Sequence, residues 1–442
     1  MLFRSAKNLT LSEEVLAVFG LSGYALSPEP YGASVVILNT CGFISEAREE
    51  GRAELKKLAE LRKKGLIRML VVYGCMVQGF SEEMQAQFPD VDLFVGSAAP
   101  DKLFQLVHLQ TRGVWLPVQW KTTPGTSAPR LYSTPPSYAY LKISDGCDNR
   151  CAYCSIPRLR GPMRSRAMGM LLREAVDIVR SGRQEIVLIA QDLASFGKDR
   201  GGSELVELVR KLSAIDELAW IRLLYIHPAN LTDDMFQMFA EGGKVVPYID
   251  IPVQHLHDKV LASMGRPGKY EHIKRVVSKL RQVQPDIALR TSIITGYPTE
   301  GDEEFAVLRD RLAELDFTHL GVFTYSHETD TVAWDLGDPV PASEKESRRS
   351  ELMAEQMARV ERRNQGRVGS QLTVIVDGVE DSEEGPVSIC RSGFEAPDVD
   401  PVVFVAGEFE PGEFIEVEVV GVEGYDLVGE ALYDDEDDPE GD

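Results

Sequence analysis

The stretch Ser144-Asp145-Gly146-Cys147-Asp148-Asn149-Arg150-Cys151-Ala152-Tyr153-Cys154 decides how the rest of the chain is read. It carries three of the six cysteines, spaced C-x3-C-x2-C, directly after the apolar run 138–143, which reads as a buried strand. Three thiolates on one short loop can hold three irons of a 4Fe–4S cubane and leave the fourth iron open to a small chelating ligand. Structural zinc is the competing reading. It ordinarily takes four protein ligands, often in two separated pairs, and no second pair or His-x3-His follows this loop.

Outward from the loop, six strand-like runs recur at 138–143, 186–190, 220–226, 248–253, 288–295 and 319–324, separated by helical stretches such as 168–181 and 302–314. Strands alternating with helices imply a parallel sheet with right-handed crossovers, and six units predict a partial barrel rather than a closed eightfold one. Polar residues follow these strands: Gln191-Asp192, His227, Gln254-His255, Gly296 and Tyr325-Ser326. Functional groups of such barrels gather at the carboxyl rim, where the cysteine loop also belongs. Gln191, Asp192, Gln254 and His255 therefore read either as the lining of a substrate mouth or as polar groups satisfied within the barrel top.

Residues 1–114 read as a separate α/β domain. The buried-type strands 35–38 and 69–73 each run into a cysteine, Cys41 and Cys75, with a helix at 46–64 between them. Parallel strands joined by a helix place both cysteines at the carboxyl edge of the sheet, where α/β folds bind ligands. The alternative is a pair of buried structural thiols. A linker rich in Pro, Gly and Ser spans 115–137, and the barrel with a linking helix at 342–365 fills 138–365. Five short β runs at 371–377, 386–390, 402–405, 414–420 and 427–432 suggest a small antiparallel barrel over 366–434, like an OB-fold. Cys390 reads as structural there, and 435–442 as an acidic tail. The expected fold class is thus α/β with an all-β C-terminal barrel.

The chain has 442 residues, 43% of them hydrophobic, enough for several packed cores. It has no apolar run of the roughly 18 residues that a membrane helix needs, and its N-terminus does not read as a signal peptide. Clustered cysteines without a disulfide-like framework fit a reducing compartment, so a cytoplasmic location is expected. The net charge of −23 disfavours broad binding to a phosphate backbone and suits a basic protein partner. The same charge could equally serve solubility alone.

These residues resemble the methylthiotransferase branch of the radical S-adenosylmethionine (SAM) enzymes. The resemblance runs from Lys7 to Leu432. It rests on Cys147-x3-Cys151-x2-Cys154, Ile156-Pro157, Arg160-Gly161-x2-Arg164-Ser165-Arg166, the stretches 185–192 and 252–255, and Met264-x-Arg266. It implies an N-terminal methylthiotransferase domain, a radical SAM barrel and a C-terminal TRAM domain. It further implies that Cys147, Cys151 and Cys154 ligate a 4Fe–4S cluster whose open iron chelates SAM. Tyr153, Glu185, Arg164 and Arg166 would contact the cofactor, with core-packing or salt-bridge roles as their alternatives. The implied reaction starts at a carbon–hydrogen bond without acidity, where acid–base catalysis has nothing to act on.

Within the family, the stretches 189–192, 322–326 and 396–400 and the acidic balance resemble one branch in particular. That branch modifies the β-carbon of an aspartate in the twelfth small-subunit ribosomal protein; the other modifies tRNA adenosine. The implied partners are that ribosomal protein, an electron donor such as flavodoxin or ferredoxin, and ribosomal RNA contacted through the TRAM domain, with no membrane. The family also carries a third N-terminal cysteine, in Gly-Cys-Pro-Lys-Asn, which joins the equivalents of Cys41 and Cys75 in holding a second 4Fe–4S cluster. Here the aligned stretch is Arg4-Ser5-Ala6-Lys7-Asn8, so Ser5 stands in the cysteine's place. Serine is a poor iron ligand beside thiolate. A cluster resting on Cys41 and Cys75, or a ribosome-binding protein that has lost sulfur insertion, are the readings this leaves.

Overall fold

The computed structural model describes residues 6–117, 130–383 and 385–432. Its centre is a sheet of six parallel strands, in spatial order His319–Thr324, Ala288–Thr295, Val245–Asp250, Trp220–Leu223, Glu185–Ile189 and Tyr138–Lys142. The two outer strands do not pair with each other, so the barrel is partial, as expected. Every residue of Tyr138–Lys142 and Glu185–Ile189 is buried, the mark of a parallel sheet covered on both faces. One face (Ala139, Leu141, Ile186, Leu188) packs against helix residues such as Leu171, Ala175 and Leu208. The other face (Tyr138, Tyr140, Val187, Ile189, Tyr248) lines a lumen.

The N-terminal domain has four parallel strands in sequential order, Val35–Thr40, Met69–Gly74, Leu93–Val95 and Gly113–Trp115. Helix Ser45–Lys63 covers one face through Leu55 and Leu58. Helix Ala6–Leu21 covers the other through Leu11, Val15 and Phe19. That first helix shows no clean apolar stripe because its polar side is buried too. Glu13 is ion-paired with Arg130 at 2.5 Å and accepts hydrogen bonds from Ser133, which ties the domain to the chain entering the barrel. Most of the expected linker, 118–129, and the acidic tail lie outside the described residues, as does Ser5.

The C-terminal strands Gln371–Ser382, Gly385–Ser392, Val403–Ala406, Asp426–Ala431 and Phe414–Glu423 close a barrel around Val374, Val376, Val403, Val417 and Val419. It is not purely antiparallel, because Val403–Ala406 pairs parallel with Asp426–Ala431. Cys390 is fully buried in this core, and burial pushes its thiol up to about 12. Segment 392–400 leaves the small barrel and plugs the floor of the large one. Ala396 joins the lumen cluster. Asp398 accepts from Tyr140 (2.9 Å) and Tyr138 (3.1 Å), and Asp400 accepts from Tyr248 (2.7 Å) and pairs with Arg290.

Glu185 belongs to the same floor. It lies level with Tyr138, at the opposite end of its strand from the cysteine loop. Fully buried, it is ion-paired with Arg222 at 2.6 Å and Arg391 at 2.8 Å. Those guanidiniums hold its carboxyl below the usual range against the opposing, larger effect of burial. Glu185 fastens the two barrels together, with its carboxylate engaged by two guanidiniums.

Candidate metal and cofactor centre

The cysteine loop begins where the first barrel strand ends, and a short antiparallel ladder between Ser144–Asp145 and Arg164–Ser165 pinches its base. Gly146 sits at φ +80°, and a Cβ there would lie 2.1 Å from the Pro162 carbonyl oxygen, so only glycine fits the turn. The loop is gripped from both sides. Ala152 N–H donates to Met264 O and its carbonyl accepts from Ala333 N–H, both at 2.8 Å. Asn149 Nδ2 donates to Asp192 at 2.9 Å.

Burial raises the Cys147 thiol to about 11 and the Cys154 thiol to about 12, and the charges of neighbouring cysteines on the loop add to both shifts. The three sulfurs thus share one electrostatic neighbourhood. A metal must displace their protons to bind. Arg266, buried, reaches into the same space: Nη1 lies 3.7 Å from Cys151 Sγ and 3.2 Å from Tyr153 Oη. It supplies a fixed positive charge beside a set of ligands that turns anionic when loaded. Among the described residues no group of three or more His, Cys, Asp or Glu side chains is placed to hold a metal ion. The donor set, three cysteines on one loop with a cation beside them, is soft and matches iron–sulfur ligation.

The other expected cofactor contacts divide. Tyr153 packs against the cluster of Ala152, Val260, Met264, Tyr297 and Tyr325, and its phenol oxygen is held by Arg266. Arg166 is buried, donating to Lys142 O at 2.9 Å and Glu174 at 2.5 Å, the geometry of the salt-bridge alternative. Arg164 is part-exposed at the base of the loop, within the field of Asp145.

Cys41 and Cys75 come together at the carboxyl edge of their sheet. A Cβ on Gly42 would lie 2.8 Å from the backbone of Cys75, and one on Gly74 would lie 2.7 Å from Thr40 O. Burial raises the Cys41 thiol, Phe43 N–H opposes this, and the Cys75 charge adds to it. Cys75 Sγ is 3.9 Å from Ser97 Oγ. This pair faces the cysteine loop through helix Ile156–Arg160. Ser155 Oγ donates to Phe43 O at 3.3 Å, and Arg160, which interacts with Cys75, donates to Asn8 Oδ1 at 3.1 Å and pairs with Asp145 at 3.4 Å.

At the rim, Asp192 is saturated by Asn149, Ser195 and Asn230, and His255 lies 3.0 Å from Glu300. Both have their hydrogen bonds met within the barrel top. Gln191 is different: Nε2 donates to Asp145 at 3.3 Å, while Oε1 is buried without a partner. The upper lumen also holds two groups that sequence reasoning did not single out. Lys7 donates to Ala190 O at 3.1 Å with its ammonium 3.6 Å from the Tyr225 ring centroid. Asp250 has an unpartnered Oδ1, and burial pushes its carboxyl up to about 6, partly offset by Arg290. A lone acid within the apolar run 248–253 was the available signal for Asp250.

Comparison with known proteins follows this division into parts. The Radical SAM superfamily matches residues 141–312, the TRAM domain 368–432, and the uncharacterized family UPF0004 residues 5–96. Among curated proteins, the ribosomal protein uS12 methylthiotransferase RimO of Acetivibrio thermocellus is 39% identical, with 96% of each chain covered. That of Syntrophus aciditrophicus is 41% identical at the same coverage. Among solved structures, the radical SAM methyltransferase TsrM of Kitasatospora setae superposes with a TM-score of 0.52 at 14% identity, over 70% of this chain and 66% of that one, a likeness of fold. With such identity along nearly its whole length, this chain belongs to the RimO family of radical SAM methylthiotransferases.

Proposed function

We propose that this protein transfers a methylthio group to an aspartate β-carbon of ribosomal protein uS12. The observation that carries the reading is the three-thiol loop at the barrel rim with Arg266 3.7 Å from Cys151 Sγ, in a chain 39–41% identical to RimO proteins over 96% of its length. Cys147, Cys151 and Cys154 would hold the 4Fe–4S cluster and SAM would complete it. When bound, this pair supplies one-electron bond cleavage that removes hydrogen from an unactivated carbon.

The chain's own contribution is placement and exclusion of water. Arg266 balances the charge of the thiolates, and the 392–400 plug closes the lumen from below, so that target residues enter only from the rim. Lys7 brings a cation to the upper lumen, which suits a carboxylate substrate. Cys41 and Cys75 do not by themselves make a three-thiolate set, and Ser5 stands where the third cysteine would be. No step is therefore assigned to a second cluster. We take the functional parts as 1–114, 138–365 and 366–434, in a cytoplasmic protein reduced by a flavodoxin or ferredoxin. No helix among the described residues is long and apolar enough to cross a membrane.

Charge favours the protein target over tRNA. Between 366 and 432 the only basic residues are Arg367 and Arg391, and Arg391 is buried, while Glu380, Asp381, Glu383, Glu408, Glu410 and Glu416 are exposed. Such a surface repels a phosphate backbone and attracts a basic protein. Ribosomal RNA contact through the TRAM domain would rest on Arg367.

The test is mass spectrometry of uS12 incubated with reconstituted enzyme, SAM, sulfide and reductant, with iron measured in parallel. The expected result is a methylthio mass gain on one aspartate, lost together with about four irons per chain in the Cys147→Ala/Cys151→Ala/Cys154→Ala variant. A mass gain on tRNA and none on uS12 would overturn the assignment.

A further inference from the structure

Beyond the last barrel strand the chain forms a rim segment built unlike its surroundings. The turn Val332–Leu336 exposes three large apolar side chains within five residues: Val332 is 74% exposed, Trp334 41% and Leu336 45%. Ala333 between them is fully buried and donates its N–H to the Ala152 carbonyl, inside the cysteine loop, at 2.8 Å. The turn is also moored to the N-terminal domain, because Glu328 pairs with Arg48 at 2.5 Å and accepts from Ser45 N–H at 2.9 Å.

Trp334 is held in place before anything binds. His327 stacks on it with ring centroids 3.9 Å apart and planes at 12°, and His327 Nε2 lies 3.0 Å from the Trp334 carbonyl oxygen. An ordered, exposed tryptophan costs little entropy to bury and is typical of interface hot spots. Exposed Asp335 borders the apolar residues, together with Asp330, whose carboxylate stays 65% exposed beside Arg158 at 3.4 Å, and Asp338, paired with Lys345 at 2.5 Å.

We propose that this ledge is the docking surface for the target protein, seating a basic segment that carries apolar side chains next to the residue to be modified. The inference rests on the methylthiotransferase reading above. The acids around the ledge complement a basic polypeptide, and the Ala333–Ala152 bond makes the ledge continuous with the candidate centre. A segment lying on Trp334 is thereby delivered to the mouth of the lumen.

The experiment measures the dissociation constant of purified uS12 for the reconstituted holoenzyme, by fluorescence anisotropy at low and moderate salt. The Val332→Ser/Trp334→Ala variant is expected to bind about tenfold or more weakly, with iron per chain equal to wild type. Asp330→Asn/Asp335→Asn is expected to weaken binding at low salt and flatten its salt dependence. Unchanged affinity in the first variant would overturn the proposal. So would a loss of iron alongside the loss of affinity, which would make the turn a mere support of the cysteine loop. Weakened tRNA binding or self-association with uS12 affinity intact would overturn it as well. Failure of the methylthiotransferase reading is separable: wild type would then leave uS12 without a mass gain whatever the affinities do.

Discussion

The floor and the mouth of the partial barrel are made of the same strands but built on opposite terms. At the floor, charged groups meet partners: Glu185 with Arg222 and Arg391, Arg391 with Asp377, Asp398 with Tyr138 and Tyr140, and Asp400 with Tyr248 and Arg290. Toward the mouth, Gln191 Oε1, His227 Nε2 and Asp250 Oδ1 are buried without a hydrogen-bond partner, whereas at the floor Glu185 Oε2, which also lacks a hydrogen bond, still faces the Arg391 guanidinium at 2.8 Å. Buried polar groups are normally satisfied, and an exception with no counter-charge beside it is a place where stability is given up for function. The difference fits a barrel anchored at its floor, with the mouth as the end proposed to bind.

The largest effect expected from breaking the comparison is at the floor. Glu185→Gln leaves the buried Arg222 with only the Gly393 and Ser392 carbonyls, and Arg391 with Asp377, around a neutral amide. Uncompensated buried charge of this kind costs about 3–5 kcal/mol, visible as a lower denaturation midpoint. Iron content and SAM affinity of the remaining folded protein should match wild type. A Glu185→Gln protein of normal stability but weakened SAM binding would restore the cofactor role that the sequence suggests.

Much of this was legible beforehand, and the misses share a cause. The runs 288–295 and 319–324 coincide with the observed strands, and the cysteine loop falls at the rim, because hydrophobic run length and local spacing are encoded within a few residues. The ion pairs of Glu185 were not legible, because they depend on which end of a strand it occupies and on Arg391, which lies far away in sequence. The stretch 396–400 was recognised as distinctive, yet its purpose, plugging the floor through Tyr138, Tyr140 and Tyr248, exists only in the folded contact. Arg166 looked like a site residue because it follows the motif; its partner Glu174 lies one helix further on.

An intermediate effect is expected in the upper lumen. Burial raises the Asp250 carboxyl from 3.8 to about 6, so between these values the folded protein holds a proton that the unfolded chain releases. Stability therefore falls as pH rises from about 4 to above 6, by roughly 3 kcal/mol if this group acts alone. Asp250→Asn should flatten that part of the stability–pH profile and raise stability at pH 7. If the profile of the variant keeps the wild-type slope, Asp250 is solvated or paired, and the contrast between mouth and floor weakens.

The smallest effect sharpens the boundary of the site. Tyr153 lies beside the last thiol, but its phenol is engaged by Arg266, which the thiol set and Pro252 O also hold in place. Tyr153→Phe removes one hydrogen bond to a group with other partners, at a cost of about 1 kcal/mol. The ring stays packed on Met264 and its neighbours. Iron content and SAM affinity should be unchanged, and methylthio transfer should stay within a few-fold of wild type. A loss of a hundredfold or more in SAM affinity would move Tyr153 from the support of Arg266 into contact with the cofactor, and would extend the mouth's unpaired chemistry one residue deeper into the loop.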